Sequence, residues 1–293
     1  MTRWLVAGAG GMLGCDLVAA LAGSGEDVLG LSRKELDVTD ETVVAAALAD
    51  CRPDVVVNCA AWTAVDDAEA HEDEALAVNG TGAAHVAAAI AAGSAAPGCR
   101  LVHLSTDYVF AGDGERPYAE HDAPGPRTAY GRTKLAGEQA VRALLPQAGY
   151  VVRTAWLYGA HGPNFVAAMI RLERERPGVD VVADQRGQPT WTADVARQVI
   201  ALARSGAPAG IYHATSSGEA TWFELAREVF LLADADPDRV RATSTGAFPR
   251  PAPRPSYSVL GHEAWAAIGL QPIGDWRLSL RRAFPALAAA PAP

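Results

Sequence analysis

RWLVAGAGGMLG, residues 3 to 14, decides the fold. A short apolar run breaks at Gly8, glycines recur at Gly8, Gly11 and Gly14 with Gly10 between them, and an apolar, Ala-rich segment follows at once. That order reads as a strand, a tight turn and the start of a helix. In such a turn the backbone can approach a pyrophosphate closely, and the N–H groups at the positive helix end offset its charge. The residues expected to meet a dinucleotide there are Gly8, Gly10, Gly11, Met12, Leu13 and Gly14. Glycines at this spacing also serve plain turns, so the reading rests on what surrounds them.

What surrounds them is an alternation of strands and helices. EDVLGLS, DVVVN, CRLVHLS and GYVVRT are short apolar or β-branched runs separated by Ala-rich segments of helical length. Strands joined by helical crossovers pair in parallel and are covered on both faces. The expected fold is α/β, a doubly wound parallel sheet of the Rossmann kind, with a smaller irregular C-terminal substrate-binding region. Residues 1–158 form the dinucleotide-binding domain and 179–206 return to it. Residues 159–286 belong mainly to the substrate-binding region, where Pro/Gly punctuation thickens and TWFELAREVFLLADA reads as a helix. Residues 287–293 are expected to be a frayed tail.

The second strand, VLGLS, runs into Ser32, Arg33 and Lys34. An NAD-type site places a carboxylate about there to hold the ribose hydroxyls. With none directly at the strand end and Arg33 in its place, NADPH is expected, with NADH as the alternative. Asp37 and Val38 are placed near the adenine.

Composition narrows the partners. A formal charge of −9 repels nucleic acid. Asp16 interrupts the first apolar helix, which argues against a secretory signal, and no run is long and apolar enough for a membrane span. Cys15, Cys51, Cys59 and Cys99 follow no metal or disulfide spacing, which fits reduced thiols and a cytoplasmic location.

AYGRTKLAGEQAV, residues 129 to 141, carries the chemistry. Only two of the 25 basic residues are lysines, and Lys134 stands four residues after Tyr130, on the same helix face. An ammonium beside a phenol stabilises the phenolate and lowers its pKa, so the pair can exchange a proton with a ketone or alcohol oxygen. The third member should stand where LVHLS ends, since such sheets bind ligands at strand C-termini. Ser105 and Thr106 both qualify on chemistry, and position alone does not choose between them.

These residues resemble the extended short-chain dehydrogenase/reductase superfamily, through GAGGMLG, the segment from Asn58 to Ala61, and the Tyr130/Lys134 spacing. NCAAWTAVDDAE, STDYVFAGDG, RTAWLYG, DQRGQPT and RPSYSVL are similar, within it, to the dTDP-4-dehydrorhamnose reductase family, over nearly the whole chain. The resemblance implies reduction of the C4 ketone of a dTDP-4-keto-6-deoxy-L-sugar, with Thr106, Tyr130 and Lys134 catalytic. It places Ala60 and Ala61 at the cofactor and Thr63, Val65, Tyr108, Trp156 and Asn164 at the substrate. Arg250 or Arg254 is expected at the diphosphate. Some relatives hold Mg2+ between protomers. Asp16 lies in the matching region, but Ala193 stands where a second acid is needed, so no metal is expected. The expected state is a monomer or homodimer. Asp66, Asp67, Glu69 and Glu72 read as a solvated helix start. Two alternatives remain: a reductase for another nucleotide-linked keto-sugar, such as that of dihydrostreptose synthesis, and a non-catalytic subunit like that of methionine adenosyltransferase.

Overall fold

The apolar runs expected as strands pair in parallel in the computed structural model, which describes residues 1–289. β1 (Arg3–Ala7), β2 (Asp27–Leu31), β3 (Val55–Asn58), β4 (Arg100–Thr106), β5 (Gly149–Thr154) and β6 (Gly210–His213) form one sheet in the order β6-β5-β4-β3-β1-β2. The central strands are buried on both faces, which is why they read as unbroken apolar runs rather than alternating ones. On one face α1 (Met12–Gly23) and a helix at Thr192–Arg204 pack Leu13, Leu17, Leu21, Val195 and Val199 against Trp4 and Val57. On the other, α2 (Glu41–Cys51), α3 (Gly82–Ala91) and α4 (Ala129–Leu144) contribute Val44, Val86 and Val141.

The sixth strand differs from expectation. Val179–Val182 does not rejoin the sheet but pairs in parallel with Val240–Thr243. Its residues alternate between buried valines and exposed or half-buried neighbours, the pattern of a ribbon with one wet face. The rest of 179–206 divides from it, since Thr192–Arg204 packs on α1.

A second core lies beyond β5. There α5 (Phe165–Glu175), α7 (Trp222–Leu232) and α8 (Trp276–Ala289) surround Met169, Phe230, Trp276 and Leu280, while α6 (Thr192–Arg204) stays with the first core. Thr221 starts α7 with a reciprocal capping box to Glu224. Residues 287–289, expected to fray, end α8, and Leu287 is buried in this core; residues 290–293 lie outside the described residues. Among the described residues no helix is long and apolar enough to cross a membrane.

The chain turns back at β1: β2 lies on one side of it and β3 on the other. Ligands bind doubly wound sheets beyond the strand ends at such a reversal. The glycine turn and the segment after β3 stand there together.

Candidate active site

A cavity of about 1090 Å3 opens at the C-terminal ends of the strands. Its floor at the β1 side is the glycine turn. Gly8 has φ +76°, and a Cβ on it would lie 2.6 Å from the Ala60 nitrogen. A Cβ on Gly14 would lie 2.3 Å from the Gly8 oxygen. Close approach therefore demands glycine at both ends of the turn. Gly11 is the N-cap of α1 and offers no side-chain cap. Among the described residues nothing accepts from the backbone N–H groups of Gly10, Met12, Leu13 or Gly14. Four unused donors at a helix N-terminus that faces a cavity fit a pyrophosphate.

Gly8, Gly10, Gly11, Met12, Leu13 and Gly14 all line this cavity, as does Ala61. Ala60 stands behind it, packed under Gly8. Arg33 and Asp37 do not line it. Arg33 is largely exposed just past β2, 3.9 Å from the Asp37 carboxylate, which in turn accepts from the Thr39 N–H and hydroxyl. Val38 is buried under α3, where its methyls meet Gly82. A carboxylate does stand near the end of β2: Glu35 folds back to accept from the Ser32 N–H and hydroxyl, each at 2.8 Å. Three residues of turn hide it from a reading along the strand.

The catalytic candidates come from β4 and α4. Thr128 caps α4 by accepting from the Gly131 N–H at 3.0 Å, so Tyr130 lies in the first turn and Lys134 in the second. Thr106, Tyr130 and Lys134 line the same cavity. The two hydroxyls left open by position part company here. The Ser105 hydroxyl donates to Glu138 Oε1 at 2.5 Å, inside the protein. The Thr106 hydroxyl instead donates to Asp107 Oδ1 at 3.0 Å and accepts from the Tyr108 N–H, and it stands near enough to Tyr130 to favour the phenolate.

The electrostatics correct one expectation. Lys134 does not acidify Tyr130 in this state. Its ammonium donates to the Leu104 carbonyl at 2.6 Å, and burial lowers its own pKa from about 10.5 to about 8. Burial pushes the phenol up to about 12, with Thr106 pulling the other way and Asp107 adding to the rise. Desolvation of the phenolate outweighs every nearby attraction. Tyr130 therefore keeps its proton at neutral pH. Asp107 is itself buried, and its carboxyl is raised to about 6.

Several side chains absent from the sequence reading hold this set in place. Glu138 accepts from Arg153 at 2.9 and 2.7 Å, and both groups are 2% exposed. Asn79, in a π-helical turn at Ala77–Thr81, brackets Trp62 by accepting from its N–H and donating to its carbonyl, and also donates to Thr133 of α4. That turn joins the short helix Glu72–Leu76 to α3. A single Asn or Glu in an Ala-rich helix carries no sequence signal of such a role.

Of the substrate candidates, Thr63, Val65, Tyr108 and Trp156 line the cavity. The Tyr108 ring meets Tyr130 edge-on with centroids 5.7 Å apart. Asn164 does not line it. Its side chain caps α5 through the Ala167 N–H and donates to the Gly159 and Gly162 carbonyls, which uses the whole amide. Arg250 and Arg254 do line the cavity. The acidic group at 66–72 is only in part a solvated helix start: Asp66 and half-exposed Asp67 open a helical turn at Val65–Ala68, but Asp66 also accepts from Arg254 at 2.7 Å and from the Ala252 N–H, Glu69 from the Ala129 N–H, and Glu72 from Arg132. These carboxylates tie the arginine loop and α4 to the cavity wall. Asp16 accepts from Thr192 and lies 3.7 Å from His161. Among the described residues no three His, Cys, Asp or Glu side chains gather as metal ligands.

The family model described as the RmlD substrate binding domain matches residues 2–288. The chain belongs to this family, the dTDP-4-dehydrorhamnose reductases. A dTDP-4-dehydrorhamnose reductase of Streptomyces griseus is 56% identical over 97% of this chain and 94% of that one. A probable dTDP-4,6-dihydroxy-2-methyloxan-3-one 4-ketoreductase of Streptomyces antibioticus is 56% identical over 99% and 97%. Among solved structures, a dTDP-4-dehydrorhamnose reductase of Bacillus anthracis in complex with NADP superposes with a TM-score of 0.91. It is 38% identical and covers 97% of this chain and 99% of that one. The family's fold is the one described above.

Proposed function

We propose that the protein reduces the C4 ketone of a dTDP-4-keto-6-deoxy-L-sugar, with dTDP-4-dehydro-L-rhamnose as substrate and dTDP-L-rhamnose as product. The observation that carries this reading is the meeting of Thr106, Tyr130 and Lys134 in one cavity with the open amides of the glycine turn. NADPH, with NADH as the alternative, supplies the hydride to the ketone carbon when bound along that turn.

The chain's own residues do the rest. Tyr130 holds its proton at neutral pH and gives it to the ketone oxygen as that oxygen gains negative charge. An alkoxide is a far stronger base than a phenolate, so the transfer runs downhill even from a phenol of raised pKa. The Thr106 hydroxyl, turned from Asp107 towards the substrate, donates a hydrogen bond that aims the ketone oxygen at the phenol. Lys134 is an ammonium below about pH 8 and binds the ribose next to the nicotinamide. Arg254, fixed by Asp66, and the more exposed Arg250 clamp the diphosphate, a geometry that suits guanidinium groups. Thr63, Val65, Tyr108 and Trp156 contact the sugar nucleotide. Arg33 meets the 2′-phosphate of the cofactor. Residues 1–158 thus serve mainly the cofactor and 159–286 mainly the sugar, in a cytoplasmic monomer or homodimer without a nucleic-acid or membrane partner.

A relative of equal identity bears a name for a different keto-sugar, which supports a second reading: reduction of another dTDP-linked 4-keto sugar. Steady-state oxidation of NADPH with dTDP-4-dehydro-L-rhamnose, beside other dTDP-4-keto-6-deoxy sugars, tests both. The first reading expects the L-rhamno substrate to have the highest kcat/KM. A higher value on another sugar favours the second, and no turnover on any sinks both.

A further inference from the structure

Three aromatic rings stand in the cavity wall beyond Tyr130, and the sequence singles out only Trp156. Trp156 follows β5, Phe165 is the first residue of α5, and Trp222 is the first of α7. The indoles of Trp156 and Trp222 are parallel within 6° with centroids 3.6 Å apart. The Phe165 ring lies 4.6 Å from that of Trp222.

Trp156 needs to be held. Its φ is +46°, in the left-handed region that a bulky side chain adopts only when its surroundings impose it. DQRGQPT, a segment marked in the sequence without chemistry of its own, supplies the restraints. The Thr190 N–H donates to the Trp156 carbonyl at 3.1 Å. Gly187 makes room for the ring, since a Cβ there would lie 2.5 Å from indole Cε2. Gln185 fixes the partner: its Oε1 accepts from Trp222 Nε1 at 3.1 Å and its Nε2 donates to Thr245 at 2.9 Å. Gln185 is itself 8% exposed, so both ends of its amide are oriented from within the protein.

We propose that Trp222 and Gln185 are positioning residues for Trp156, and that the stacked indoles form one rigid apolar wall against which the deoxysugar ring is oriented. The inference rests on the reading of this cavity as a nucleotide-sugar site. Parallel indoles resist tilting together where a single one, in a strained backbone, would drift. The wall touches the sugar throughout the reaction, so losing it weakens ground-state and transition-state binding alike. That raises KM with little change in kcat.

The test compares Trp222→Ala, Trp222→Phe and Gln185→Leu with the wild type. The expected KM for the keto-sugar rises roughly two- to tenfold in Trp222→Ala, the range an aromatic pair commands. Trp222→Phe restores part of it, and the KM for NADPH stays unchanged in all three. Far-UV circular dichroism of the ligand-free protein, where the strong indole transitions couple, gives a second readout: the exciton couplet of the stacked pair disappears in both Trp222 variants and shrinks in Gln185→Leu. An unchanged sugar KM in Trp222→Ala, or a couplet surviving in Trp222→Phe, overturns the inference and leaves the function standing. If the wild type turns over no keto-sugar, the functional reading falls. The inference is then judged by quenching of tryptophan fluorescence by dTDP-L-rhamnose, whose affinity must fall in Trp222→Ala, and absence of binding to the wild type overturns both.

Discussion

Replacing Glu138 by Gln should damage stability and shift the pH profile of activity together. Glu138 lies one helical turn after Lys134 and accepts two hydrogen bonds from Arg153 and one from Ser105. Gln keeps the shape and part of the bonding but leaves the Arg153 guanidinium buried without its counter-charge. Removing one partner of a buried ion pair costs about 3–5 kcal/mol, and the retained hydrogen bonds put this case near the lower end. At roughly 2–4 °C per kcal/mol for a chain of this size, the melting temperature falls by about 6–12 °C. Exchanging both partners for methionine should recover most of that loss, because no buried charge then remains. Glu138 is also the carboxylate that most raises the Lys134 ammonium against the lowering by burial. Its loss drops the Lys134 pKa further below about 8. The decline in kcat as Lys134 loses its proton therefore begins at lower pH than in the wild type. Urea and thermal unfolding, with kcat measured across pH 6 to about 9, provide the assay. A melting temperature within about 2 °C of the wild type, or an unmoved alkaline limb, would refute the reasoning.

Two further changes probe other parts of the account. Burial lifts Asp107 from 3.8 to about 6, so the folded chain holds that proton more tightly than the unfolded one. Stability should fall by up to about 3 kcal/mol as pH rises from about 4 to about 6, and Asp107→Asn should abolish that fall; an unfolding profile with the same slope in both proteins contradicts it. Arg33→Ala should raise the KM for NADPH about tenfold or more and leave that for NADH nearly unchanged, given the strength of charge-assisted phosphate contacts. Equal effects on the two cofactors would show that Arg33 does not meet the 2′-phosphate.

The fold was legible because its core strands are buried on both faces and its turn needs glycine. RWLVAGAGGMLG declares both within twelve residues, and Gly14 has no alternative beside the Gly8 carbonyl. β6 was harder to see: GIYH is four residues long, sits at the sheet edge and carries no run of valines. The valine-rich segment at 179–182 is the better strand by composition, yet only alternate residues of it are covered. At the site, Tyr130 and Lys134 were legible because four residues make one helical turn. The state of the phenol was not, because its pKa depends on burial, which no local spacing reports. Asn164 shows the reverse: its place after Pro163 suits a contact or a cap equally, and only the bonds to Gly159, Gly162 and Ala167 distinguish them. Trp222, Gln185 and Glu138 act through residues distant in sequence, so their roles arise only once the chain has folded.

The most direct test replaces a single oxygen atom. Tyr130→Phe keeps the ring and the helix and removes the proton that the reduced sugar needs. With NADPH and dTDP-4-dehydro-L-rhamnose the account predicts that kcat falls by about 10²–10⁴ while cofactor binding is preserved. A Tyr130→Phe protein that oxidises NADPH within about threefold of the wild-type rate would contradict it.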